Sequence, residues 1–171
     1  MQSKARLLGH PVHQMLIVFP LGLLATAVIF DVVHIIMDSP VTATVSYWMI
    51  AAGIIGGLLA APFGWIDWFY IPRGTRAKSV GLWHGLGNVL VVLLFVISWL
   101  LRRNNAGDPT TLALILSFCA AGLALVTGWL GGELIDRLGI GVDEGANVNA
   151  PSSLSRATPD ERRGYRRTAK I

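Results

Sequence analysis

Four histidines and a few carboxylates stand out in a chain that carries little charge. They are His10, His13, His34 and His84, with Asp31, Asp67 and Glu133, and with Asn88 four residues after His84. Two imidazoles on different helices at one depth form the axial pair of a b-type haem, and bundle interiors commonly hold such groups. His13 and His84 make that pair, with His10 as the substitute from the first helix. The same residues suit other chemistry. A histidine beside a carboxylate passes protons or hydrogen-bonds a quinone carbonyl. His10, His13 and His84 with Asp67 or Glu133 are acceptable ligands for zinc, iron or copper, although His-Pro-Val-His is not a recognised zinc spacing. Cys119 is the one cysteine, which excludes an internal disulfide and thiol-pair redox exchange. The chain has no nucleophile elbow, no phosphate-binding glycine loop and no catalytic triad, so it reads as a protein that is not an enzyme on its own.

The elements that must position these groups are membrane helices. Of the 171 residues, 53% are hydrophobic and only 14% charged, where soluble domains carry about a quarter charged. Four apolar runs are long enough to cross hydrocarbon, at residues 12–37 (with Pro20 inside), 45–71, 80–101 and 111–135. Their short connections make sequential helices antiparallel neighbours. The expected fold is therefore all-α: an integral membrane antiparallel four-helix bundle over residues 1–140, followed by a flexible basic tail over 141–171. Lys4–Arg6 before an apolar stretch with Ala25-Thr26-Ala27 resembles a cleavable signal, but hydrophobicity continues to Met37, so it is read as a retained span.

Lysine and arginine set the expected orientation. Lys4, Arg6, Arg73, Arg76, Lys78, Arg137 and six tail residues lie at one side, against Arg102 and Arg103 at the other. That places both termini in the cytoplasm of a bacterial inner membrane. The last sixteen residues carry the whole net charge of +4, so the basic pI points to anionic headgroups or a partner at the tail and not to nucleic acid.

Helical phase tells which faces are polar, because ionisable side chains in lipid turn toward the bundle interior. From His13, the positions of Asp31, His34 and His10 fall on one stripe of the first helix, with Pro20 and Leu24. Asp31 and His34, three apart, are expected to pair with each other. On the third helix His84, Asn88, Val91, Phe95 and Ser98 share a face. Gly56, Ala60 and Gly64 lead to Asp67 in small-xxx-small steps, which read as packing residues. Gly128 and Gly131-Gly132-Glu133 suggest close backbone approach beside a carboxylate. Depth divides the polar groups into two layers. His10, His13, Asp67, His84 and Glu133 lie on the cytoplasmic side, and Asp31 and His34 lie about 30 Å of helix away at 1.5 Å per residue. The aromatics Phe63, Trp65, Trp68, Phe69 and Trp83 near the first layer suit a macrocycle or quinone, but interfaces enrich Trp and Tyr regardless.

The segments GHPVHQMLIVFPLGLL, GWIDWFYIPRGTRA, LWHGLGN and GWLGGELIDRLGIGV resemble the bacterial four-span membrane family known as domain of unknown function 2231, over roughly residues 7–143. The family pattern falls on His10, Pro11, His13, Phe19, Pro20 and Asp31, on Gly64, Asp67, Pro72 and Gly74, on His84 and Asn88, and on Gly131, Gly132 and Glu133. A proline commonly follows the second histidine in the family, where this chain has Gln14. Members occur fused to Rieske-type or cytochrome c-type domains, which implies membrane electron transfer. Neither type of domain is read in these 171 residues. The histidine stripes, together with those fusions, point to a haem b- or quinone-linked electron-transfer protein. A non-catalytic accessory subunit of a larger respiratory or photosynthetic complex, and a metal-binding or proton-relay protein, are the alternatives.

Overall fold

Pro20 breaks the first span. In the computed structural model, which describes residues 1–155, the apolar run divides into α1 (Val12–Leu16) and α2 (Val18–Met37). Proline has no N–H to give the carbonyl four residues back, and its ring crowds that carbonyl. The carbonyl belongs to Leu16, and α1 ends there. Ile17 is the joint: its N–H donates to the His13 carbonyl (3.1 Å) and its own carbonyl accepts from Leu21 (3.0 Å). Three unbroken helices follow, α3 (Pro40–Tyr70), α4 (Arg76–Arg102) and α5 (Thr111–Gly132), and a π-helical turn (Glu133–Arg137) extends the last. Four spans result, Val12–Met37 among them, each long and apolar enough to cross a membrane. In hydrocarbon a helix is the element that satisfies its own backbone.

Two helices begin earlier than the apolar runs suggest. α3 starts at Pro40, where the missing N–H would be unpartnered anyway. α4 starts at Arg76, because the Thr75 hydroxyl accepts from the Lys78 N–H (3.2 Å) and caps the helix ahead of its apolar part. The Thr110 hydroxyl caps α5 in the same way through Ala113 (3.3 Å).

Contacts run in opposite senses along consecutive spans. His13 meets Ala60, Pro20 approaches Gly56, and Leu24 approaches Gly53. On the other pair His84 approaches Gly131, Asn88 meets Thr127, and Ser98 meets Ala113. The chain is thus two helical hairpins, α1–α2 with α3 and α4 with α5. Leu24, Ala27, Ile50, Ile54, Val91, Phe95 and Ala120 fill the space where the hairpins meet. Leu21, Ile29, Leu58, Leu93 and Leu125 point outward and are exposed, as a hydrocarbon-facing surface requires.

Beyond the helices the chain adds a feature that an all-helical reading omits. Residues 1–11 fold across one end of the bundle, and β1 (Arg6–Leu7) and β2 (His10–Pro11) pair antiparallel around Leu8 and Gly9. Both turn residues have positive φ (51° and 88°), as a type I′ connection needs. Residues 139–153 lie against this hairpin: the Gly141 N–H donates to the Met1 carbonyl (2.9 Å), Arg6 pairs with Asp143 (3.1 Å) and the Ser153 hydroxyl donates to the Leu8 carbonyl (3.0 Å). The basic stretch from Arg156 onward, expected to meet headgroups or a partner, lies outside the described residues.

Candidate functional site

His13 and His84 come together. Each belongs to one hairpin and is oriented by that hairpin's other helix. His13 Nδ1 lies 3.0 Å from the Ala60 carbonyl on α3, and His84 Nδ1 lies 2.9 Å from the Thr127 carbonyl on α5. A carbonyl only accepts, so Nδ1 carries the proton in each ring and Nε2 keeps its lone pair. This is the arrangement that fixes tautomer and ring angle in ligating histidines. The ring centroids are 6.4 Å apart, with planes crossed at 87°.

Glycines make room for both rings. A Cβ on Gly64 would sit 2.9 Å from His13 Cε1, and one on Gly131 would sit 3.1 Å from His84 Cε1. The small residues on α3 are therefore packing residues that also back a functional side chain. Gly131 has that role on α5, whereas a Cβ on Gly128 or Gly132 would meet nothing within 4 Å. Pro62, two residues after Ala60 in α3, cannot donate to Leu58, which removes one hydrogen bond of the helical ladder beside the carbonyl that holds His13.

Asn88 supports His84 from one turn along α4. Its Nδ2 donates to the His84 carbonyl (2.8 Å) and stands 3.4 and 3.3 Å from the two ring nitrogens. The Thr127 hydroxyl donates to Asn88 Oδ1 (3.0 Å), so α5 fixes both the amide and, through its carbonyl, the imidazole.

The other cytoplasmic-layer candidates are engaged elsewhere. His10 sits in β2, exposed, 3.3 Å from the Ser153 hydroxyl; it is not helical, so its expected phase beside His13 does not apply. Asp67 accepts from the Ser3 hydroxyl (2.7 Å) and from the N–H groups of Lys4 (2.7 Å) and Ala5 (3.4 Å), and so anchors the N-terminal segment. Glu133 pairs with Arg76 (2.6 Å) and ties the π-helical turn to the start of α4. Among the described residues no three His, Cys, Asp or Glu side chains gather as a metal-ligand set, so the expected combination of His10, His13, His84 and a carboxylate does not assemble. Of the aromatics, Trp68 packs edge-on against Trp65 and Phe69 and donates its indole N–H to the Lys78 carbonyl (3.0 Å). Phe69 and Trp83 are exposed.

The far layer holds a residue that the sequence reading put in a loop. Arg102 is fully buried and forks onto Asp31, Nη1 to Oδ1 at 2.6 Å and Nη2 to Oδ2 at 2.8 Å. Asp31 therefore does not pair with His34, whose Nδ1 instead lies 2.9 Å from the Ser39 carbonyl. The guanidinium matches the planar carboxylate with two donors, which a neutral or protonated imidazole cannot do. Arg102 continues the Ser98 face by one turn, and Asp31 lies at its depth; those two facts were the signal for the pair.

Residues 9–144 match the family described as "Predicted membrane protein (DUF2231)". Comparison with curated proteins and with solved structures found no match. With four membrane-length helices and that match over most of its length, the chain belongs to the DUF2231 family of membrane proteins.

Proposed function

We propose that this membrane protein carries electrons by way of a b-type haem, which His13 and His84, one from each hairpin, would hold. One observation carries the reading: two imidazoles from different hairpins, 6.4 Å apart, each with Nδ1 bound to a backbone carbonyl and Nε2 left as a lone-pair donor. The donor set fits the group.

The ring chemistry favours haem over a quinone. A quinone carbonyl needs a hydrogen-bond donor, and the ring N–H of each histidine is already given to a helix carbonyl. A lone pair, by contrast, is what iron takes. Asp67 is not available to a quinone either, since both its oxygens hold the N-terminal segment.

When bound, the haem supplies reversible one-electron transfer. The chain's own residues supply the frame. Ala60 and Thr127 hold the tautomers, Gly64 and Gly131 admit the rings, and Asn88 donates to the His84 carbonyl. Residues 1–11 and 139–153 roof the end of the bundle at which α1 begins. Two neutral imidazoles suffice as ligands without a carboxylate, which agrees with Asp67 and Glu133 being engaged elsewhere.

Electron paramagnetic resonance of the oxidised protein tests the ligand assignment. Low-spin ferric iron with two imidazoles is expected, changing to high spin or disappearing in His13→Ala and in His84→Ala. An unchanged low-spin signal in either variant would overturn the assignment.

A further inference from the structure

We infer that Asp31 and Arg102 are positioning residues: their buried pair sets how the two hairpins dock and, through that, the spacing of His13 and His84. The inference rests on the proposed ligand role of those histidines for its second readout only.

The pair joins all four spans. Asp31 comes from α2 and Ser46 from α3; Arg102 and Ser98 come from α4 and Ser117 from α5. Arg102 Nη1 donates to Asp31 and Ser46 (2.6 and 3.2 Å), Nη2 to Asp31 and Ser117 (2.8 and 2.8 Å), and Nε to Ser98 (3.3 Å). A guanidinium has five N–H donors, and these five bonds use them all. The serines are set in turn: Ser98 Oγ donates to the Ala113 carbonyl (2.7 Å) and lies 2.9 Å from Ser117 Oγ. Asp31, Ser46, Ser98, Arg102 and Ser117 are each fully buried.

That full satisfaction decides what the cluster does. No guanidinium donor is left for a substrate and both carboxylate oxygens are engaged by Arg102, so the cluster is a fixed joint. Every bond from Arg102 to Asp31 or Ser46 crosses from one hairpin to the other. In lipid no hydrophobic effect drives hairpin onto hairpin, so the crossing bonds and close packing do that work. The geometry is also demanding, because a planar fork accepts its partner in one orientation. Orientation fixed at this end is carried along the unbroken α3 and α4 to the other end, where α3 holds His13 through the Ala60 carbonyl and α4 carries His84.

The test uses the full chain in a Cys119→Ser background and two readouts. The first needs no haem. Gly57→Cys with Val92→Cys places thiols across the hairpin boundary, where a Cβ on Gly57 would lie 3.4 Å from Val92 Cγ2. After mild oxidation, the bridged fraction is the fraction protected from a polyethylene-glycol maleimide. Near-complete bridging is expected with the pair intact. Arg102→Gln leaves the carboxylate buried and alone, and bridging is expected to fall by about ten-fold. The double variant Asp31→Asn/Arg102→Gln removes both charges and is expected to recover most of the bridging. Arg102→Lys keeps the charge but cannot fork; should Arg102→Gln not accumulate in the membrane, this variant carries the test with the same expected fall. The second readout is the haem signal, expected to broaden and lose occupancy in the single variants and to return in the double. Bridging that is equal in all variants overturns the inference, whatever the pigment does. A colourless parent protein with the bridging pattern intact removes the haem reading and leaves the docking role standing.

Discussion

Each of the two central imidazoles has one nitrogen tied and one left over, and that asymmetry makes separable predictions. His13→Ala or His84→Ala removes a lone-pair donor and should abolish the pigment while the helices still insert. His34→Ala should leave it intact, because His34 serves the Ser39 carbonyl in the far layer. Difference spectra of the three variants check this; pigment lost equally in all three would mean that the effect is on folding and not on ligation. Asp67 makes a prediction of a different kind. Its carboxylate accepts three bonds from residues 3–5, so Asp67→Asn turns an acceptor-only group into a mixed one and weakens the anchor. Hydrogen exchange of the N–H groups of Lys4 and Ala5 should speed up, with exchange in α3 unchanged; equal protection in both proteins would contradict the anchoring role. At this scale phase and depth put His13, His84 and Asn88 in one layer, and the three lie together in the structure. His10 proved to lie outside the helix, and the partners of Asp67 were not foreseen, because a β-turn at Leu8-Gly9 returns the chain over the bundle end, a tertiary arrangement that no helical phase contains. Arg102 was missed because a charge next to Arg103 at a span end looks like a loop residue.

At the scale of the helix, glycines decide which faces close. A Cβ on Gly87 would lie 2.5 Å from Thr127 Cγ2, whereas one on Gly122 would meet nothing within 4 Å. Gly87→Ala should therefore overpack the α4–α5 contact and cost about 1–3 kcal/mol. Gly122→Ala should be neutral or gain up to about 1 kcal/mol from helix propensity. Thermal denaturation in one detergent compares them, and equal melting temperatures would contradict the packing described. Both glycines lie in helices that the sequence places correctly, yet their neighbours could not be read from one chain, because phase gives a face without naming what stands against it. The break at Ile17 was half legible: Pro20 was visible inside the first span, and its consequence appears one turn earlier, at the carbonyl it cannot serve. Helix starts at Pro40 and Arg76 were missed for a plainer reason, since capped polar turns precede the apolar stretches that reveal a span.

For the whole molecule, the four spans were legible from length and apolarity, and the division into two hairpins was not, because it depends on which buried polar groups find each other. That division bears on orientation. With Arg102 inside the bundle, Arg103 is the basic residue of the α4–α5 loop, against Lys4, Arg6, Arg73, Arg76, Lys78 and Arg137 at the opposite end. The greater imbalance favours the proposed cytoplasmic placement of both termini. An impermeant maleimide on intact cells should label Asn104→Cys, and should label Arg73→Cys only after permeabilisation, both in a Cys119→Ser background; the reverse pattern would invert the topology. The central claim is that two hairpins bring two imidazoles together to hold a haem. Its most direct test is the absorption spectrum of the protein purified in mild detergent, oxidised and then reduced with dithionite. A sharp reduced band of b-type character, at one haem per chain, is the predicted result. A colourless protein from haem-replete cells, unchanged on reduction, would contradict it.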